Sequence, residues 1–411
     1  MLWTRRAVLA VFAAACAASV TAACSSGSSG SAAGTGSKSS ITVGFNDSLT
    51  GANVSSGTSD LELARATVAY ANATGGIDGH NLVLRVLNSG DVGSGTAGSN
   101  ELQLSQAHAA FVMGPTVSND CDEVIPIATS STTPTFCSFV DYQSLVPVKQ
   151  DVYAGAIIER AQAEPVINFI KEKTGLAHPK IAVLDSFTDG SVDFGTKMQN
   201  IAGQLGAKAV YVGSMSQQAV SVTSYADDII AAHPDAVTVD IFQNFIAPLV
   251  QQLHSAGLDI PVVGLMGDVT DSAQAALKDP NVYSLSGANW LLPGDSSNTP
   301  QVNQLIKALG AAGAPTAADI NGAAGSTVLV PYLDAITALR ACGWPCSPSE
   351  FTAKLDATTV TIPGLVNDFG YTPQLHLGYK TVQFWSWDAA KSAPAQVASG
   401  IPLGTTSLTS P

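Results

Sequence analysis

Between Ile41 and Cys137 the chain alternates apolar runs of two different periods, and this constrains the fold more than any other feature. Ile41, Val43 and Phe45 alternate as in a strand, and Thr50-Gly51 breaks the run. Ser59-Asp60-Leu61-Glu62 has the spacing of a capping box, and Leu61, Ala64, Val68 and Ala71 then fall on one helical face. Gly75-Gly76 stops that helix, since glycine takes the left-handed terminal conformation without a steric cost. Leu82 to Leu87 is apolar almost throughout, the pattern of a strand covered on both faces. The order is strand, helix, strand, which opens a doubly wound parallel sheet.

A second series follows an irregular stretch that runs to Asp151. The periodicity predicts a helix over Glu159 to Lys173. Strands are predicted at Lys180 to Leu184, Lys208 to Val212, Ala236 to Phe242, Ile260 to Gly264 and Val282 to Ala288. Helices fall between them at Ser191 to Leu205, Val222 to Ala232, Ile246 to Ala256 and Ser272 to Lys278. The last third is predicted helical at Gln301 to Ala312, Ala318 to Ala341 and Pro348 to Asp356, with a strand at Thr381 to Trp387 closing the chain. The expected fold class is α/β: two doubly wound parallel-sheet lobes, a size that suits 411 residues. Ligands of such sheets lie outside the carboxyl ends of the strands. The loops concerned are Asp47 to Gly57, Pro115 to Asp120, Cys137 to Tyr142, Asp185 to Gly190, Asp240 to Asn244 and Leu265 to Thr270.

The N-terminus reads as an export signal over residues 1–23. Arg5-Arg6 precede an Ala-rich apolar run that ends at Ala23, too short and weakly apolar for a permanent span. Both general and twin-arginine export remain open. Residues 24–40 form a lipid-accepting Cys24 followed by a Gly/Ser/Ala tether with no apolar periodicity. Thr21-Ala22-Ala23-Cys24 resembles a bacterial lipobox, with Thr where that motif usually has Leu. The formal charge of −14 excludes nucleic acid as a partner, because no basic stripe is present to neutralise phosphates. With Cys16 in the signal and Cys24 taking lipid, an even set remains: Cys121, Cys137, Cys342 and Cys346. In an exported chain this favours disulfides over metal ligation. Locality pairs Cys121 with Cys137 and Cys342 with Cys346, and the cross-pairings stay open.

Signals for catalysis are weak. Gly93-Ser94-Gly95-Thr96-Ala97-Gly98 spells a dinucleotide fingerprint, but it follows the second strand of its unit and has Asp91 at its mouth. It is better read as a Gly-rich surface turn. The sequence has no G-x-S-x-G elbow, and its histidines (His80, His108, His178, His233, His254 and His376) are scattered as surface or helix-end residues would be. Asp120, Asp122 and Glu123 open a helix, where carboxylates suit the dipole. No cofactor or metal is expected.

Gly44 through Gly51, the run Gly75 to Gly79, and Met113-Gly114-Pro115 with Ser118 behind it resemble extracytoplasmic solute-binding proteins of the branched-chain amino acid and amide transporter class. So do Lys180 to Leu184, Ser255-Ala256-Gly257-Leu258 and Phe369-Gly370-Tyr371. The resemblance implies a type I periplasmic-binding-protein fold with three hinge crossings, near Tyr153, Asn289 and Asp368. Its lobes would be 41–153 with 290–368, and 154–289 with 369–398. Among the family's ligand contacts, Ser118 keeps the first hydroxyl. The threonine position falls on Asp141 within Cys137 to Asp141, the aromatic position on Asp189 beside Phe187, and the acid position on Met266 with Asp268 close by. The usual α-amino acid ligand is thereby put in doubt.

These readings give a non-enzymatic, lipid-anchored component of an ABC importer. It would act as a monomer outside the cytoplasm, capture a small polar solute by closure of two lobes, and deliver it to a membrane permease. The candidate ligand contacts are Thr50, Ser56, Ser118, Ser138, Phe139 and Asp141 on one lobe, and Phe187, Asp189, Gln243 and Asp268 on the other. The acids among them favour a neutral, hydroxyl-rich or cationic solute. A sensor module signalling to a membrane partner is the alternative, and a nucleotide-dependent enzyme the remote one.

Overall fold

In the computed structural model the described residues are 38–296, 298–311, 323–404 and 408, without the side chains of 308 and 323–327. The expected signal, Cys24 and all of the tether before Lys38 lie outside them, as does the 318–322 part of the expected helix.

The first sheet is built from β1 (Ile41–Asp47), β2 (Leu82–Asn88), β3 (Val112–Met113), β4 (Thr135–Cys137) and β5 (Val152–Ala154). All pairs are parallel, in the order β2-β1-β3-β4-β5. Helices α1 (Val54–Ala73), α2 (Thr96–Gln106), α3 (Ser118–Ser131) and the short α4 (Tyr142–Leu145) alternate with these strands. Leu61, Ala64, Val68 and Ala71 are all buried, and each large side chain among them contributes roughly 1.5–3 kcal/mol of transfer free energy. The start of α1 differs from the expected capping box. The helix begins at Val54, its N-cap Asn53 makes no side-chain bond, and Ser59 lies inside it. The expectation for Leu82 to Leu87 also needs correction. β2 is an edge strand whose residues alternate in burial, with Val83 50% exposed, because only one of its faces is covered.

The chain then enters α5 (Glu159–Thr174) and the second series: β6 (Lys180–Asp185), α6 (Asp189–Ala202), β7 (Lys208–Ser214), α7 (Thr223–Ala231) and β8 (Ala236–Asp240). After a 3₁₀ turn at Gln243–Phe245 come α8 (Ile246–Ser255), β9 (Val262–Gly264), α9 (Asp271–Leu277) and β10 (Val282–Ser286). In the second sheet β7-β6-β8-β9-β10 repeats the 2-1-3-4-5 order of the first. The remainder carries α10 (Pro300–Ala311), α11 (Ala323–Cys342), α12 (Pro348–Leu355), a small hairpin of β11 (Val360–Ile362) with β12 (Val366–Phe369), and β13 (Thr381–Asp388) with β14 (Ala393–Pro402). α10 and α11 pack on α1. The second sheet is not purely parallel, since β13 pairs antiparallel with β10 and with β14. β14 was not expected: its Pro, Ala and Gly residues show no apolar alternation, and it is a largely exposed edge.

The sheet pairs enclose aromatic cores. Phe136 stacks on Tyr153 at 5.4 Å and lies edge-on to Phe111 at 5.8 Å, while Phe169 stacks on Phe384 at 3.8 Å. His376 departs from the surface role expected of the histidines. It is 1% exposed, stacked on Tyr153 at 4.2 Å, with Nδ1 2.7 Å from the Val152 carbonyl and Nε2 3.3 Å from Asp356. The described cysteines pair locally, Cys121 with Cys137 and Cys342 with Cys346. No helix among the described residues is long and apolar enough to cross a membrane.

Candidate functional site: an acidic cleft between two sheets

The 2-1-3-4-5 order places a crevice where connections leave a central strand to opposite sides, at the carboxyl ends of β1 and β3 and of β6 and β8. These ends face one another and enclose a cavity of about 640 Å³, counting its open mouth. The first sheet contributes Asn53, Ser56 and Asp60 from the α1 entry, Thr116, Val117 and Ser118 from the β3–α3 turn, and Phe139; Val328 of α11 adds an apolar wall. The second contributes Glu159 from the start of α5, and Ser186, Thr188 and Ser191 from the β6–α6 turn. Asp240 ends β8 and Ile241 to Gln243 follow it, and Gly267 and Asp268 follow β9.

The two sides touch at the rim. Ser118 Oγ accepts a bond from the Gly190 amide at 3.0 Å, and Asn119 meets Asp189 through both its amide nitrogen (3.2 Å) and its carbonyl oxygen (3.3 Å). Phe139 packs over Gly267. Gly190 is required in this arrangement. A Cβ there would stand 2.4 Å from Glu159 Oε1 and 2.6 Å from Oε2, so the missing side chain lets the Glu159 carboxyl sit under the first turn of α6.

Carboxyl groups dominate the electrostatics. Burial lifts Glu159 well above the usual range, and the charges of Asp240, Asp193 and Asp141 add to it. Burial raises Asp240 to about 7, opposed by a bond from Ser191. Asp268 is pushed well up by burial, then by Asp240 and Glu159, although Oδ2 accepts the Leu265 amide at 3.0 Å. On the opposite wall the Thr116 hydroxyl contacts both Asp60 Oδ2 (2.6 Å) and Asp47 Oδ2. One hydroxyl proton cannot serve two carboxylates, so one of the acids holds a proton of its own. Asp60 is the better holder, lifted well above its ordinary value by burial and by the charge of Asp47, while Asp47 rises only to about 6.

Of the sequence candidates, Ser56, Ser118, Phe139, Gln243 and Asp268 line this cavity. Five others lie outside its lining. Thr50 is exposed, with its hydroxyl on Asn88 Nδ2. Ser138 is buried behind the wall, its amide bonded to the Pro115 carbonyl. Asp141 caps α4 through the Ser144 amide at 2.8 Å, because the chain turns there into helix and points the carboxyl at its first turn. Phe187 faces a neighbouring groove with Met215 and Phe242. Asp189 lies on an outer rim with Asp122, Asp141 and Asp193. Met266, where the family's acid falls, is buried with its amide on Gln162 Oε1 at 2.9 Å. The acid character comes from Asp268, a sequence candidate, together with Asp60, Glu159 and Asp240, which were not candidates. Asp60 did leave a signal, as a charged residue on the buried stripe of α1 that also holds Leu61 and Ala64.

The Gly93 to Gly98 run is a turn at Gly93 to Gly95 that passes into the start of α2 at Thr96, and its anion-ready amides are already bound. The Gly93 amide donates to Asp120 Oδ1 and the Gly95 amide to Glu123 Oε1, both at 2.7 Å. A phosphate would have to displace two carboxylates supplied by α3. His254, Asp259 and Asp279 form the one group of potential metal-ligand atoms within 4.8 Å among the described residues; it lies away from the cleft, with His254 and Asp259 exposed.

Two α/β sheets of equal strand order, with a polar cavity between their carboxyl ends, define a two-lobed binding fold. The sequence profile of the periplasmic binding protein family matches residues 40–392, and the chain belongs to that family. Solved structures agree on the fold. The branched-chain amino acid transporter substrate-binding protein LivJ of Streptococcus pneumoniae, in complex with isoleucine, is 20% identical with a TM-score of 0.69, over 87% of this chain and 99% of that one. A solute-binding protein of an ABC transporter from Rhodopseudomonas palustris, in complex with 4-hydroxybenzoate, is 12% identical with a TM-score of 0.75, over 89% and 98%. An ABC transporter substrate-binding protein from Sphaerobacter thermophilus is 18% identical with a TM-score of 0.73, over 89% and 98%. No curated protein matches the sequence.

Proposed function

We propose that the chain is the solute-capturing component of an ABC importer, held outside the cytoplasm by lipid on Cys24 and delivering a small polar solute to a membrane permease. The observation that carries this reading is the cavity shared by the carboxyl ends of both sheets, lined by hydroxyls, carboxyls and the rings of Phe139 and Phe242. Such a site binds by enclosure: hydrogen bonds strengthen as their groups lose water, and no bond of the solute is broken. The lobes are taken as 41–153 with 290–368 and 154–289 with 369–398, joined at crossings near Tyr153, Asn289 and Asp368. They move as hinged bodies in a protein that acts as a monomer. Family membership supports this reading, and the neighbours described as binding isoleucine or 4-hydroxybenzoate are consistent with it. Ser56, Ser118, Phe139, Gln243 and Asp268 are the contacts kept from the sequence, joined by Asn53, Asp60, Thr116, Glu159 and Asp240.

A thermal-shift screen of amino acids, amides, sugars, polyols, aromatic acids and amines tests this reading. At least one solute is expected to raise the melting temperature in a concentration-dependent way, and the shift should disappear in Ser118→Trp, which fills the cleft. A shift that survives Ser118→Trp would place binding elsewhere.

A further inference from the structure

The identity of the solute class can be inferred from what the cavity leaves unpaired, given that the solute-binding reading holds. Glu159 is 4% exposed and Asp240 9% exposed, and each has one carboxyl oxygen, Oε2 and Oδ2 respectively, without a hydrogen-bond partner among the described residues. Asn53, 3% exposed on the facing wall, leaves its Nδ2 donor equally without a partner. Asp60 and Asp268 line the same space, and among the described residues no Lys, Arg or His does. Arg160, although adjacent to Glu159 in sequence, is turned away. Its Nε lies 2.7 Å from Asp193 Oδ2, and its guanidinium sits over the Tyr142 ring at 4.3 Å. Unpaired carboxyl oxygens at this depth are costly, so a partner must come from outside the protein or the acids must remain protonated.

We propose that the solute is an organic cation. Its ammonium, amidinium or guanidinium group is seated among Glu159, Asp240 and Asp268, and a hydroxyl or carbonyl oxygen of the same molecule accepts from Asn53 Nδ2. A bare metal ion fits less well, because the cleft acids do not bring three ligand atoms within 4.8 Å of one another. A polyatomic cation reaches acids that are spread apart, and donates several N–H bonds in different directions. Phe139 from the first-sheet side and Phe242 from the second also line the cavity, and aromatic rings there favour a cation. Among the described residues a net anion would meet four acids and no basic side chain. Burial and mutual repulsion, which lift Glu159 and Asp268 well above the carboxylate range, are what a bound cation would reverse.

The test uses the full chain and a small-molecule extract of bacterial cells divided on cation- and anion-exchange resins, with putrescine and agmatine as defined probes. Stabilisation by the fraction retained on the cation exchanger is expected. Glu159→Gln and Asp240→Asn should each weaken its binding at least tenfold while leaving the circular dichroism spectrum unchanged. Should one variant fail to fold, the other and the fractionation still decide. Stabilisation by the unretained or anion-exchange fraction alone, or an affinity unchanged in both variants, overturns the cationic assignment while the solute-binding reading stands. Stabilisation by no fraction overturns both.

Discussion

Ser118 and Gly190, 72 residues apart, share a hydrogen bond of 3.0 Å that joins the first turn of α3 to the first turn of α6. The same glycine makes room for the Glu159 carboxyl on its other side. One backbone position therefore both closes the rim and admits the acid, and a side chain there would disturb the two together. Gly190→Ala is expected to push the Glu159 carboxyl out of place and separate the rims, raising the radius of gyration in small-angle scattering. Ser118→Ala, which removes only the acceptor, should cost about 1 kcal/mol of stability by urea denaturation. Equal effects of the two substitutions would argue against a second role for Gly190.

The buried acids give the ligand-free protein an inverted pH profile. Burial raises Asp185 and Asp240 to about 7 and Asp334 to about 8. Unfolded aspartate titrates near 4, so between about pH 4 and pH 8 the folded chain binds more protons than the unfolded one. Stability is then full below the unfolded value and falls as pH rises through the folded values. The melting temperature is expected to be higher at pH 5 than at pH 8, and Asp334→Asn should flatten the upper end of the curve. Asp334, in α11, has neither carboxyl oxygen hydrogen-bonded to a described residue, so the substitution removes a charge without breaking one of the described bonds. A profile flat or rising from pH 5 to pH 8 would show these acids ionised in the fold.

The bridge between Cys121 and Cys137 spans 16 residues and ties α3 to the end of β4, beside the cleft. Loop-closure entropy gives it about 3 kcal/mol. Cys121→Ser with Cys137→Ser should lower the denaturation midpoint accordingly. Peptide mapping without reduction should recover Cys121 joined to Cys137 and Cys342 to Cys346. A Cys121 to Cys342 link would contradict this pairing.

The lipid anchor is expected from Thr21-Ala22-Ala23-Cys24 and the Gly/Ser run that follows. Cys24→Ser should move the protein from the membrane fraction to the soluble one in its native host. Unchanged partitioning would remove the anchor from the reading.

Much of the fold is legible in the sequence because its two periods are local properties of short windows. The strands from Ile41 to Ser286 and the helices between them repeat that pattern with few interruptions. The failures have local causes too. The α1 terminus carries no side-chain cap, so the cap-like Ser59 to Glu62 spacing inside the helix drew the boundary a turn and a half late. β14 is an exposed Ala/Pro/Gly edge held by its neighbour rather than by its own pattern. The site was half legible. Loops at strand ends pointed to Ser118, Phe139, Gln243 and Asp268, but Asp141 and Asp189 were assigned by position along the chain and the fold turns both to the outer rim. Asp240 falls in a strand-end loop expected to face the cleft, but neither it nor Glu159, an ordinary helix start, carries a local mark of a buried acid. Only the tertiary approach of α5, β8 and α6 buries them side by side, and no window of sequence contains that approach.

Native mass spectrometry of the full chain, after incubation with a small-molecule cell extract, tests most directly whether the cleft encloses one solute. The expected spectrum shows a single adduct at one-to-one stoichiometry, present in the wild type and absent in Ser118→Trp. No adduct in the wild type, or the same adduct in Ser118→Trp, would contradict capture of a solute between the two sheets.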